Sequence, residues 1–199
     1  ILEHGCSSGF MLHPLKEKGY DCFGIEPSGL FSRYLKKSGI KSFSSLGRAR
    51  QSRDWPEKFD LIMHFFVLEH VEEPEKFLKE QLDCLSVGGS LIVEVPNCDD
   101  PLNKVYNIPE FQEFYWQVAH NWYFSYLSFN NLLKRVSTNV EILLDQRYDL
   151  SNHMIWARDG IPGGAGKFSK QLGEDFEKQY RKMLIQTGFC DTLVGILRN

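Results

Sequence analysis

The residues best suited to chemistry cluster at the start of the chain. Ile1-Leu2-Glu3-His4-Gly5-Cys6-Ser7-Ser8-Gly9 is followed, one helix length later, by Phe23-Gly24-Ile25-Glu26-Pro27-Ser28. The pattern reads as a buried strand, a glycine turn, a helix, and a second strand that ends in a carboxylate. An open α/β sheet holds an adenosine-bearing ligand in this way: glycines let the backbone approach, and the acid at the next strand's tip accepts the ribose hydroxyls. Gly5 and Gly9 are the close-approach positions, with Cys6 in the turn between them, and Glu26, followed by Pro27, is the ribose acceptor.

The details of that turn discriminate between cofactors. A dinucleotide site uses GxGxxG, in which the middle glycine admits the pyrophosphate. Here the spacing is GxxxG and Ser7 stands where the middle glycine would be. Glu3, closing the first strand, would oppose an anionic pyrophosphate but can accept hydrogen bonds from a cationic amino acid moiety. Both departures favour S-adenosylmethionine over NAD. At these residues the chain resembles the class I S-adenosylmethionine-dependent methyltransferases. Their first motif runs hydrophobic-hydrophobic-(Asp/Glu)-x-Gly-x-Gly-x-Gly, and their second strand ends in Asp or Glu. Ser7 is a departure from that motif.

The resemblance extends along the chain. Phe59-Asp60-Leu61-Ile62 matches the family's fourth strand, and Leu68-Glu69-His70-Val71 matches the turn above the methyl donor. It implies that Phe65 and Phe66 wall the donor and that His70 orients this turn or serves as a third-choice base. Pro96-Asn97 matches the close of the family's fifth strand. In relatives, a His before Tyr-Phe-Ser lies near the methyl acceptor, which makes His120, in His120-Asn121-Trp122-Tyr123-Phe124-Ser125, the first choice of base. Gln146-Arg147-Tyr148, Asn152-His153, Trp156 and Pro162-Gly163-Gly164 resemble a signature of methyltransferases in bacterial surface-saccharide and other sugar pathways. That makes His153 the second choice and Trp156 a sugar-stacking ring. His4 and His64 read as satisfied structural histidines, and no metal site is expected.

The elements that must position these residues alternate as a doubly wound sheet requires. A helix over 10–18 stops at Gly19, and a second strand covers 20–25. Ser28 caps a helix ending at Gly39. A minimal third strand falls near 40–43, a helix over 75–85, and a fifth strand after the Gly88-Gly89 turn. A sixth strand over 140–144, a long helix over 168–187 and a seventh strand over 192–197 complete the pattern. The resemblance implies a seven-stranded Rossmann-like sheet whose last strand inserts antiparallel between the fifth and sixth. The segment 99–131 is read as an aromatic-rich insertion after strand five, a substrate cover at the end of the sheet where such folds bind ligands.

Composition bounds the remainder. The chain has 199 residues, 42% of them hydrophobic and 14% aromatic, enough for one core and one domain. Its net charge of -3 gives no global attraction to nucleic acid, and the cluster from Lys36 to Arg53 reads as a solvated face. Five scattered cysteines without CxxC pairing suggest reduced thiols in a cytoplasmic protein. No apolar run reaches the roughly 20 residues of a membrane span. The chain starts without methionine in mid-strand, so a preceding segment is expected. The expected activity is O-methylation of a saccharide, nucleotide-sugar or similar small hydroxylated molecule, with S-adenosylmethionine as cofactor and a homo-oligomer as an option. Alternatives are C- or N-methylation of a small or quinone-like molecule, and a non-catalytic binding module that keeps the cofactor site.

Overall fold

The computed structural model describes residues 1–199. Seven strands form one sheet: β1 (Leu2–His4), β2 (Phe23–Ile25), β3 (Lys41–Phe43), β4 (Phe59–Phe65), β5 (Leu85–Pro96), β6 (Val140–Asp145) and β7 (Thr192–Arg198). Their order is β3-β2-β1-β4-β5-β7-β6. β1 to β5 pair in parallel, whereas β7 runs antiparallel to both neighbours, as the sequence resemblance implies. The strand order reverses between β1 and β4, which opens a crevice at their carboxyl ends. Gly5 follows β1 and Phe66 follows β4, so both flank that crevice.

Ten helices accompany the sheet: α1 (Leu12–Glu17), α2 (Gly29–Lys37), α3 (Leu46–Ala49), α4 (Pro74–Leu82), α5 (Pro101–Lys104), α6 (Pro109–Tyr115), α7 (Tyr126–Val136), α8 (Leu150–Asp159), α9 (Ser169–Leu172) and α10 (Glu174–Thr187). Alternation along the strands sends side chains to two faces. On one face, Ile62, Leu91 and Val93 pack with Leu78 of α4 and with Phe129, Leu132 and Leu133 of α7. On the other, Met63 packs with Leu12 of α1 and Leu35 of α2. The aromatic segment forms a third cluster, in which Phe111 and Tyr115 of α6 meet Trp156 of α8. Residues 126–131 of the 99–131 span already belong to α7, whose buried face joins the main core.

Three local expectations change. The long helix expected over 168–187 is broken into α9 and α10 at Gly173, whose φ of 83° departs from helical backbone. α8 is an additional helix: Asp149 caps it by accepting the Asn152 N–H, so Asn152 and His153 lie inside a helix rather than in a connecting loop. Ser28 occupies the N-cap position of α2 but its side chain makes no cap hydrogen bond; its backbone N–H donates to Glu26. No helix is long and apolar enough to cross a membrane.

His4 and His64 are structural but not satisfied. Both are buried, and Nε2 of His4 and both ring nitrogens of His64 lack hydrogen-bond partners. Each ring instead meets the edge or face of Phe77. Burial lowers their pKa values to about 4 and about 3, respectively.

Candidate active site

The turn after β1 is built for close approach. The Gly5 N–H donates to the Ile25 carbonyl at 2.8 Å, and the Gly9 N–H to the Cys6 carbonyl at 2.7 Å, closing a tight loop at the carboxyl end of β1. Gly5 and Gly9 have φ values of 65° and 80°. A Cβ on Gly5 would lie 2.6 Å from Val67 Cγ2, and one on Gly9 would lie 2.6 Å from Leu35 Cδ2. Neither position admits a side chain without displacing its neighbour. Ser7 is also in the left-handed region, at φ 46°. The family motif's glycine at this position therefore has a conformational reason, and Ser7 adopts the same backbone at a steric cost. Ser7→Gly is expected to raise stability by about 1 kcal/mol, measured as a higher thermal midpoint without loss of ligand affinity.

Glu26 locks this turn to the end of β2. Its Oε2 accepts the Ser7 N–H at 2.8 Å and its Oε1 the Ser28 N–H at 2.7 Å. An ionised carboxylate has about four acceptor sites, so capacity remains for two ribose hydroxyls. Pro27 is exposed beside it. Cys6 points the other way: its side chain packs in the core, and burial pushes its thiol pKa up to about 12. Any part Cys6 takes in the turn's ligand contacts therefore falls to its backbone. Phe65 packs against the same core, whereas Phe66, with φ 55°, lines a cavity on the opposite side. Of the two expected donor walls, Phe65 is thus committed to packing.

Glu3 is buried, and its Oε2 has no hydrogen-bond partner. Burial pushes its pKa up to about 8, so it is largely protonated at neutral pH in the ligand-free protein. An orphaned carboxyl of this kind fits an ammonium group, which would restore the charged form. Binding such a group then releases a proton. Affinity for an amino-acid-bearing ligand is expected to rise by up to about tenfold per pH unit from pH 6 and to flatten above about pH 8, with Glu3→Gln abolishing the slope. The same shift acts on stability with opposite sign. A carboxyl raised above its unfolded value stabilises fully at pH below the unfolded value and loses this as pH rises through about 8. Glu3→Gln should therefore raise the ligand-free melting temperature more at pH 8 than at pH 5.

A cavity of about 640 Å³ lies at the carboxyl ends of β4 and β5, where Phe66 and Pro96 line it. Phe66, Phe111, Phe114, Tyr115 and Trp156 supply aromatic walls, and Asp100, Gln117, His120 and Asn152 supply polar groups. Arg147 lies 4.7 Å over the Phe66 ring and donates to Glu94 Oε1 at 2.8 Å. Asp100 accepts the Leu102 N–H at the start of α5, and burial raises its pKa to about 7. Trp156 lines this cavity but is itself buried, packed against Phe111 and Phe114.

His120 reaches this cavity. It is half-buried, its Nδ1 has no partner, and burial, then the neighbouring His70, lower its pKa below the usual imidazole value. His70 and His120 have ring centroids 4.7 Å apart. His70 is exposed, and its Nδ1 is 2.8 Å from the Ala119 carbonyl. Glu69, between them, was not singled out by sequence. It is buried with an unpartnered Oε2, and burial raises its pKa to about 7. The signal for it was the Leu68-Glu69-His70 turn, but nothing local showed that His120 would fold back onto it.

His153 does not join this group. Its Nδ1 is hydrogen-bonded to the Tyr180 hydroxyl at 2.7 Å, and its Nε2 lies 3.4 Å from the Gln146 amide nitrogen. That amide donates to Asp191 at 2.8 Å, completing a buried polar network. Burial lowers the His153 pKa to about 4. With both nitrogens engaged and no exposure to the cavity, His153 holds α8 to α10 and is withdrawn as a base.

The geometry matches a known family. The sequence profile described as "Methyltransferase domain" matches residues 1–141, which include the β1 turn, Glu26, the Leu68–His70 turn and His120. The chain belongs to this methyltransferase family. Among curated relatives, a ubiquinone biosynthesis O-methyltransferase of Azorhizobium caulinodans is 28% identical over 101 residues, covering 49% of this chain and 40% of the relative. The corresponding protein of Rhizobium rhizogenes is 30% identical over 101 residues, with 49% and 41% covered. The similarity thus spans about two fifths of these methyltransferases. A SAM-dependent methyltransferase from Archaeoglobus fulgidus superposes with a TM-score of 0.65 at 15% identity, covering 100% of this chain and 85% of that one. The plantazolicin methyltransferase BamL, solved with a triazolic desmethylPZN analog and SAH, gives 0.62 at 15% identity over 100% and 76%. These likenesses establish the methyltransferase fold.

Proposed function

We propose that this methyltransferase-family chain binds S-adenosylmethionine at the β1 turn and transfers its methyl group to a hydroxyl of a small molecule held in the adjoining aromatic cavity. The observation that carries the reading is the placing of two built features at the carboxyl ends of neighbouring strands: the Gly5–Gly9 turn tied to Glu26 after β1, and after β4 a cavity lined by Phe66 and His120. Glu26 would hold the ribose, Gly5 and Gly9 would admit the ligand backbone to backbone, and Glu3 would accept the amino acid ammonium. The cofactor's sulfonium supplies an electrophilic methyl group. The protein's part is then to place the acceptor oxygen in line, exclude water and accept the hydroxyl proton. His120, kept neutral by its surroundings, is the group positioned to take that proton.

The acceptor we infer is small and hydroxylated. A saccharide would present its hydroxyls to Asp100, Gln117 and Asn152. A quinol-like ring is a second reading, favoured by the aromatic walls and by the similarity to ubiquinone biosynthesis O-methyltransferases. Calorimetric titration with S-adenosylhomocysteine, with NADH for comparison, tests the cofactor. A labelled-methyl screen of sugars and quinols, with mass-spectrometric location of the methyl, tests the reaction. Saturable binding of the homocysteine analogue alone and an O-methyl product are expected. Tight NADH binding would overturn the cofactor, and methyl on carbon or nitrogen would overturn the acceptor atom. Cofactor binding without turnover on any acceptor would favour a binding module.

A further inference from the structure

We infer that Glu69, His70 and His120, the last of which also lines the acceptor cavity, form a binding site for a divalent transition-metal ion of the Zn2+ type. A carboxylate oxygen of Glu69 and one ring nitrogen from each histidine all lie within 4.8 Å of one another, close enough for one ion to draw them together. A second observation points to a ligand independently of that grouping. Glu69 is 2% exposed, yet its Oε2 has no partner, and His120 Nδ1 is likewise inaccessible and unpartnered. Such polar atoms are costly unless a ligand satisfies them.

The surroundings hold these side chains for the task. His70 Nδ1 is hydrogen-bonded to the Ala119 carbonyl, which fixes the ring and leaves Nε2 for an ion, the outer-shell arrangement common at metal-binding histidines. The loop carrying His120 is tied to the Glu69 turn by further hydrogen bonds. The Asn121 and Trp122 N–H groups donate to the Glu69 carbonyl at 2.8 and 3.1 Å, and the Asn121 side-chain amide donates to the His70 carbonyl at 2.8 Å. Segments distant in sequence are thereby pinned where their ligand atoms converge. Two imidazoles and one carboxylate suit Zn2+ with an open fourth position, whereas Mg2+ favours all-oxygen surroundings.

The open position would face the cavity that His120 lines. For catalysis, and only there, the inference rests on the acceptor reading above. An acceptor hydroxyl bound to the ion loses its proton to solvent. The resulting oxygen anion forms a bond to the methyl carbon as the carbon–sulfur bond breaks and its electron pair stays on sulfur. In that state His120 acts as a ligand, and the ion's charge replaces imidazole basicity.

The test uses the full chain, stripped with chelator and titrated calorimetrically with Zn2+, then with Mg2+. One saturable Zn2+ site is expected, with no competition from Mg2+. Glu69→Gln, His70→Ala and His120→Ala should each weaken it at least about tenfold. Co2+ should give the visible absorption of a site with nitrogen ligands in the wild type and lose it in His70→Ala, with folding checked by thermal melting. Absence of saturable Zn2+ binding by the folded wild type, or binding unchanged in all three variants, overturns the inference. S-adenosylhomocysteine binding by the stripped protein is measured in parallel, so failure of the metal site is distinguishable from failure of the cofactor site.

Discussion

Glu26→Ala is expected to weaken S-adenosylhomocysteine binding about a hundredfold in calorimetric titration. The substitution removes the carboxylate that we propose accepts two ribose hydroxyls. Hydrogen bonds to a charged group contribute about 1.5–3 kcal/mol each, so losing two costs about 3 kcal/mol or more, and each 1.4 kcal/mol is tenfold. It also frees the Ser7 and Ser28 N–H groups that Glu26 now holds at 2.8 and 2.7 Å, and the strained Ser7 backbone loses its anchor. Glu26→Gln keeps one carbonyl acceptor and the side chain's length, so a loss nearer tenfold is expected. The contrast between the two variants matters, because a general loosening of the turn would affect them differently from loss of ribose contacts. Unchanged affinity in a folded Glu26→Ala protein would remove Glu26 from the cofactor site.

The β1 turn and the Glu26 carboxylate tied to it were legible because they are local. The strand, turn and acid lie within the first 26 residues, and the backbone demands of Gly5 and Gly9 write themselves into residue type. The sheet was legible for a related reason: buried strands such as Phe59–Phe65 and Thr192–Arg198 are short apolar runs bounded by clear breaks. The acceptor half was less so, because its groups meet only through tertiary contacts. His120 and Glu69 are separated by some fifty residues and converge through hydrogen bonds from Asn121 and Trp122, backbone contacts that leave no residue-type signature. His153 misled for the converse reason. An Asn-His pair next to a polar motif reads as a substrate contact, but α8 turns His153 inward onto Tyr180 while Asn152 reaches the cavity. The glycine at 173 was visible in sequence, but the amphipathic pattern running through it concealed the break between α9 and α10.

His120→Ala is expected to lower turnover by about 10²–10⁴ while leaving S-adenosylhomocysteine affinity within about twofold, measured by single-turnover methyl transfer and calorimetry on the same preparation. The separation follows from position. His120 lines the acceptor cavity, whereas the cofactor turn is held by Glu26 and by the glycines after β1. Burial and His70 keep the imidazole neutral at ordinary pH, so it can receive a proton without first losing one. His153→Ala is the informative control: it opens a buried network and should lower the melting temperature, but cofactor-saturated turnover per folded molecule should change little. Loss of cofactor binding in His120→Ala, or unaltered turnover, would remove the residue from this role. The pH profile separates its two modes of action. A free imidazole base produces an acidic limb set by its own titration, whatever ions are present. A metal-held hydroxyl produces a limb that moves with the identity of the ion, and stripped enzyme would lose activity that Zn2+ restores.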